Sequence, residues 1–104
     1  MLRLPLLTAL ALGLSACASD AECGPITGTV PIAGSQASPA LARITAEDAR
    51  SAALVSVPGA VVTDVDLDEE DGFLVYEVEL AKDRSGFEVV VDAGSGEVLC
   101  SERD

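Results

Sequence analysis

Between positions 61 and 91 the side chains alternate with a period of two in three successive segments. Strands use this pattern because neighbouring strand residues point to opposite faces of a sheet. In residues 61–68, Val61, Thr63, Val65 and Leu67 fall on one face, and Val62, Asp64, Asp66 and Asp68 on the other. Residues 73–80 place Leu74, Tyr76, Val78 and Leu80 together and turn Glu77 and Glu79 outward. Phe87, Val89 and Val91 then alternate with Glu88, Val90 and Asp92. Polar turns at 69–72, 82–86 and 94–96 separate these segments, and 97–100 reads as a short final strand. Strands joined by such short turns form an antiparallel meander, with one face buried and the other wet.

The buried face needs a cover, and the residues just before the meander supply one. Thr45 followed three residues later by Asp48 reads as a capping box. Ala49, Ala52, Ala53 and Val57 recur at helical spacing with Leu54 beside them, while Glu47, Arg50 and Ser51 take the opposite side. Pro58-Gly59 ends the helix. A face dominated by alanine lets a helix approach a sheet closely, and so short a helix depends on that packing. The expected class is α+β, with one helix on an antiparallel three- to four-stranded sheet.

Residues 18–42 show no lasting period and carry Pro25, Gly28, Pro31, Gly34 and Pro39. They read as a flexible tether. Their one ordered possibility is residues 26–32, lying along a sheet edge.

The first residues read as an export signal. Met1, Leu2 and Arg3 make a short charged start, and residues 4–14 are apolar apart from Pro5, Thr8 and Gly13. This run is shorter than the roughly 20 apolar residues that a membrane span needs. Leu14-Ser15-Ala16-Cys17 resembles the lipobox of bacterial lipoproteins at every position. The resemblance implies cleavage after Ala16 and lipidation of Cys17 with diacylglycerol and further acyl chains such as palmitate. It divides the chain into a signal peptide (1–16), a lipidated Cys with tether (17–43) and a folded domain (44–100). Ala18 is not the Asp that marks inner-membrane retention in such proteins, which implies the periplasmic face of the outer membrane. The alternative is an ordinary secretory peptide cut nearby.

Cysteine and charge arithmetic constrain the exported chain further. Three cysteines leave one unpaired, and lipidation of Cys17 removes the odd one. Cys23 and Cys100 then pair in an oxidising compartment, the alternative being free or intermolecular thiols. All 18 acids but only 5 of the 6 basic residues follow position 16, so the exported part carries 5 minus 18, or −13. Nucleic acid binding needs the reverse, and anionic headgroups would repel such a domain, so lipid must hold it to a membrane. The sequence has no His and no Trp, which removes the commonest general base. Ser51, Ser56, Ser85 and Ser95 therefore have no histidine to activate them, and no enzyme and no cofactor are expected.

Asp64, Asp66, Asp68, Glu70 and Asp71 are weak candidates for a cation site. An EF-hand loop needs Gly at its sixth position and Glu at its twelfth. Starting from Asp64 puts Glu69 and Val75 there; starting from Asp66 puts Asp71 and Glu77 there. Neither register satisfies both positions, and the two-residue spacing is that of a strand's solvent face.

The series Ile44-Thr45-x-Glu47-x-Ala49, Pro58-Gly59, Val65-x-Leu67, Gly72, Tyr76-x-Val78-x-Leu80 and Val91-Asp92-Ala93-x-x-Gly96-Glu97-Val98-Leu99 resembles a PepSY domain. The resemblance runs over 44–99. Such domains occur in propeptides of secreted metalloproteases and as small exported proteins, with a proposed role in restraining peptidases. It implies a binding or regulatory module, with a sheet edge or the acidic face as the contact and an envelope peptidase or another envelope protein as the partner. The second reading is a structural or weakly cation-binding acidic envelope lipoprotein.

Overall fold

A computed structural model describes residues 23–104; the export signal and Cys17 lie outside the described residues. Helix α1 (Ala46–Ser56) starts at the expected cap. The Thr45 hydroxyl accepts from the Asp48 amide at 3.1 Å, and the Asp48 carboxylate accepts from the Thr45 amide at 3.0 Å. Strands β1 (Val61–Glu70), β2 (Phe73–Lys82), β3 (Ser85–Asp92) and β4 (Val98–Arg103) follow, and form one antiparallel sheet in the order β1-β2-β3-β4. The class is α+β, one helix packed on a four-stranded antiparallel sheet.

Ala49 and Ala53 of α1 and Val57 just beyond it are buried against Leu74, Tyr76, Val78, Leu80, Val89 and Val91. Alanine on the helix lets its backbone come close, so the strand side chains fill the gap between the layers. Tyr76 spends its hydroxyl on the carbonyl of Ile44 at 3.2 Å, which ties β2 to the approach to α1 and satisfies the one polar atom of an otherwise buried ring.

The strands differ in detail from the alternation. The β1–β2 ladder shifts register between Val62 and Asp64, and Thr63 sits at the bulge, donating its hydroxyl to the Glu79 carbonyl. A bulge advances the pleat by one residue. Val62 therefore packs on the core, while Val61, expected inside, is 66% exposed. The hairpins are tighter than expected. Asp71 (φ 51°) and Gly72 (φ 89°) make the first, and Asp83 (φ 50°) and Arg84 (φ 71°) the second, as two-residue turns of the primed kind. The final strand is also longer than 97–100, since Glu88, Phe87 and Gly86 of β3 offer it partners as far as Asp104.

The largest departure lies in residues 23–32, expected as tether with 26–32 along a sheet edge as the ordered alternative; it is the alternative that the chain takes. These residues form a strap that crosses from one face of the sheet to the other. Ile26 is buried with Val75, Val90 and Cys100 on the face away from α1, whereas Val30 and Ile32 belong to the core beneath the helix. Beyond the last β2–β3 pair, Val75 with Asp92, the strap takes over the strand edge. The Leu74 amide donates to the Val30 carbonyl at 2.9 Å, and the Ile32 amide donates to the Gly72 carbonyl at 2.8 Å. Gly28 makes the crossing possible: a Cβ there would stand 3.0 Å from the Asp92 carboxylate and 3.2 Å from Phe73 Cβ. The face expected to be wet is thus partly dry, because Ile26, in a Pro/Gly-rich segment, found distant partners there.

Candidate binding face of the sheet

The strap is held at both ends of its crossing. Cys23 forms a disulfide with Cys100 of β4, the two Cα atoms 5.8 Å apart at a sequence separation of 77. The Cys23 amide also donates to a Glu102 carboxylate oxygen at 3.0 Å, and the Ile26 amide to Asp71 Oδ2 at 2.8 Å. At the middle of the crossing stands Asp92, which alternation placed on the solvent side and which is 1% exposed. Its carboxylate accepts from the Thr29 hydroxyl (2.7 Å) and amide (3.1 Å), the Ser95 hydroxyl (2.6 Å) and amide (3.1 Å), and the Gly94 amide (3.3 Å).

Burial alone would raise the pKa of Asp92, but the donors from Ser95 and Thr29 outweigh it and lower the carboxyl to about 2. The charged form is therefore the one built into the fold. Gly94 lies so close to the Thr29 hydroxyl and to Val30 that no larger residue fits without moving the strap. The Asp-Ala-x-x-Gly run read from the sequence is, in the folded chain, a knot joining strap to sheet. The signals for it were an Asp at the end of an apolar run, with Gly-Ser-Gly following; together they mark a carboxylate capping its own turn.

Beside the strap, the face opposite α1 is acidic. Asp64 pairs with Glu79, Glu79 with Glu88 and Glu88 with Glu102, so one transverse row of carboxylates runs across all four strands. Asp66 faces Glu77 in the next row. Like charges directly opposite one another destabilise a sheet. Lys82 lies two residues beyond inward-facing Leu80, and Arg103 pairs with Phe87, so neither falls on this face. Partial burial, the nearby Glu70 carboxyl and the charges of Asp68 and Glu88 together push Glu77 up to about 7. Glu88 is raised by partial burial and then by Glu70, Glu102, Glu79 and Asp104. Asp66 is raised chiefly by its neighbour Asp64.

Where the acidic face meets the strap there is a groove of about 220 Å³. The Cys23–Cys100 disulfide and Val90 line it together with Glu70, Asp71, Glu88 and Glu102. One carboxylate oxygen of Glu70, Oε1, is sealed from solvent and accepts no hydrogen bond among the described residues.

The sequence-level candidates for a cation site part company here. Asp64, Asp66 and Asp68 stand exposed along β1, Glu70 turns into the groove, and Asp71 is engaged by the Ile26 amide. A tight group of potential ligand atoms does occur at Cys23, Cys100 and Glu102, but the two sulfurs are bonded to each other. Among the described residues no helix is long and apolar enough to cross a membrane.

Residues 43–102 match the family described as Peptidase propeptide and YPEB domain, PepSY. The chain matches no curated protein and no solved structure.

Proposed function

Because the chain belongs to the PepSY family, we propose that it is an exported, lipid-anchored binding module that restrains a peptidase of the cell envelope. The observation that carries this reading is the family match over 43–102, which takes in the helix and nearly all of the sheet. The anchor is Cys17, through the lipobox Leu14-Ser15-Ala16-Cys17, and the site of action is the periplasmic face of the outer membrane. Only five residues separate Cys17 from Cys23, so an anchored chain would hold the disulfide end of the domain near the bilayer. The chemistry is contact rather than catalysis. With no histidine in the sequence, the serines lack the usual base, and the Asp92 carboxylate is committed to structural donors.

The test is capture from envelope extracts on the full chain with its disulfide intact. Recovery of an envelope peptidase, slowed in the captured complex, is the expected result; recovery of none refutes the restraint. A second reading, an acidic envelope protein that buffers cations, draws on the four-carboxylate row. Calcium at about millimolar concentration, the range of weak extracellular sites, would then raise the melting temperature. No shift there removes it.

A further inference from the structure

We infer that the face opposite α1 is a docking surface for a basic, extended segment of a partner protein, with one Arg or Lys side chain entering the groove between Glu70, Glu88 and Glu102. This deepens the binding-module reading above and rests on it for the nature of the partner. Three observations converge on the surface. The row Asp64, Glu79, Glu88 and Glu102 crosses the whole sheet, and the strand positions beside it hold no cation to offset it. The groove at the end of that row has an apolar floor, Val90 and the disulfide, and acidic walls. Glu70 lines it, and one oxygen of that carboxylate, Oε1, is buried and accepts no hydrogen bond among the described residues.

Each observation asks for the same chemistry. A sealed carboxylate oxygen calls for an N–H donor, which a guanidinium or ammonium supplies with charge. The apolar floor suits the methylene stem that such side chains lay along apolar surface. Strands lie about 4.8 Å apart, so the row extends for roughly 15 Å, long enough to meet several residues of an extended chain. Glu70 and the other carboxylates around Glu77 raise its carboxyl, and a cation from outside relieves that repulsion. Asp66 and Asp68 on β1 and Glu88 on β3 also face that pair and add to the repulsion that the cation relieves.

The probe is an acetylated, amidated hexapeptide of alternating Arg and Val, titrated into the full, disulfide-intact chain. A copy with citrulline for Arg serves as the neutral control. Binding of the Arg peptide and not of the citrulline peptide is expected, with amide shifts gathered at Gly24, Glu88, Val90 and Glu102. The double variant E88Q/E102Q should weaken binding at least tenfold, whereas D83N/E97Q, the same charge change away from the groove, should weaken it less than twofold. Because Glu102 also accepts from the Cys23 amide, E88Q alone is measured too, with its melting temperature, and should weaken binding at least threefold with melting no lower than that of the unmodified chain.

Equal weakening by both double variants, or no binding of the Arg peptide, overturns the inference. So does calcium occupying the groove in preference to the peptide. The two readings fail separately. Peptide binding at the groove with no peptidase captured removes restraint and keeps the docking surface, while capture unaffected by E88Q/E102Q does the opposite.

Discussion

The two faces of this one sheet are closed in different ways. Beneath α1, small residues of the helix meet large ones of the strands, and the hydroxyl of the buried Tyr76 ring finds the Ile44 carbonyl. On the opposite face a strap of irregular chain covers the end of the sheet through Ile26, a disulfide and the Asp92 knot, and the remainder is left to carboxylates that repel one another. The first face satisfies itself. The second is stabilised at one end and electrostatically unfinished at the other, where the proposed docking surface lies.

Perturbing the two faces in parallel breaks or sharpens this contrast. The largest effect is expected at the knot. Asp92→Ala removes a carboxylate that accepts charge-assisted bonds worth roughly 1.5–3 kcal/mol each and should cost about 4 kcal/mol or more in denaturant unfolding. A cost below about 1 kcal/mol would mean that the strap is held without it. Cutting the Cys23–Cys100 link by Cys100→Ser comes next, at up to about 4 kcal/mol for so long a loop in the chain-entropy model. Melting that is the same with and without reductant would contradict the bond's role.

A sharper comparison uses neighbours on β2 that are both fully buried, Leu74 toward the helix and Val75 toward the strap. Leu74→Ala should lose about 3 kcal/mol and Val75→Ala about 2 kcal/mol. If the strap face were wet, Val75→Ala would cost almost nothing.

The pattern of what could be read from sequence follows the same divide. The helix, its Thr45 cap and the three alternating segments are local signals, since a period or a cap is complete within a few residues, and they placed the face beneath α1. The strap was not legible in that way. Ile26, Val30 and Ile32 sit among Pro and Gly with no sustained period, and their burial depends on Phe73, Leu74 and Val75 more than forty positions away. Asp92 escaped because strict alternation assigns it to solvent, and only the arrival of Thr29 makes its burial tolerable. Thr63 misplaced Val61 for a different reason: a bulge is decided by the neighbouring strand. The acids of β1, β2 and β3 were visible as an outward face, but their alignment into one row depends on register.

The smallest effect is the most telling one, because it reads the unfinished face directly. Glu77 has an ordinary carboxyl pKa of 4.5 when unfolded and about 7 when folded, so the native state holds more protons between those values. Its contribution to stability is complete below pH 4.5 and is lost as pH rises through about 7. Asp92 acts in the opposite sense and far from this window, losing its contribution only as pH falls from 3.8 through about 2. Unfolding free energy measured across that range at low salt, on the unmodified chain and on Glu77→Gln, separates the possibilities. The unmodified chain should become less stable as pH rises toward 8, by less than about 1 kcal/mol for a group still partly in solvent, and Glu77→Gln should flatten that fall. Stability that instead holds level or rises over the window, with no difference between the two proteins, would contradict an unfinished acidic face.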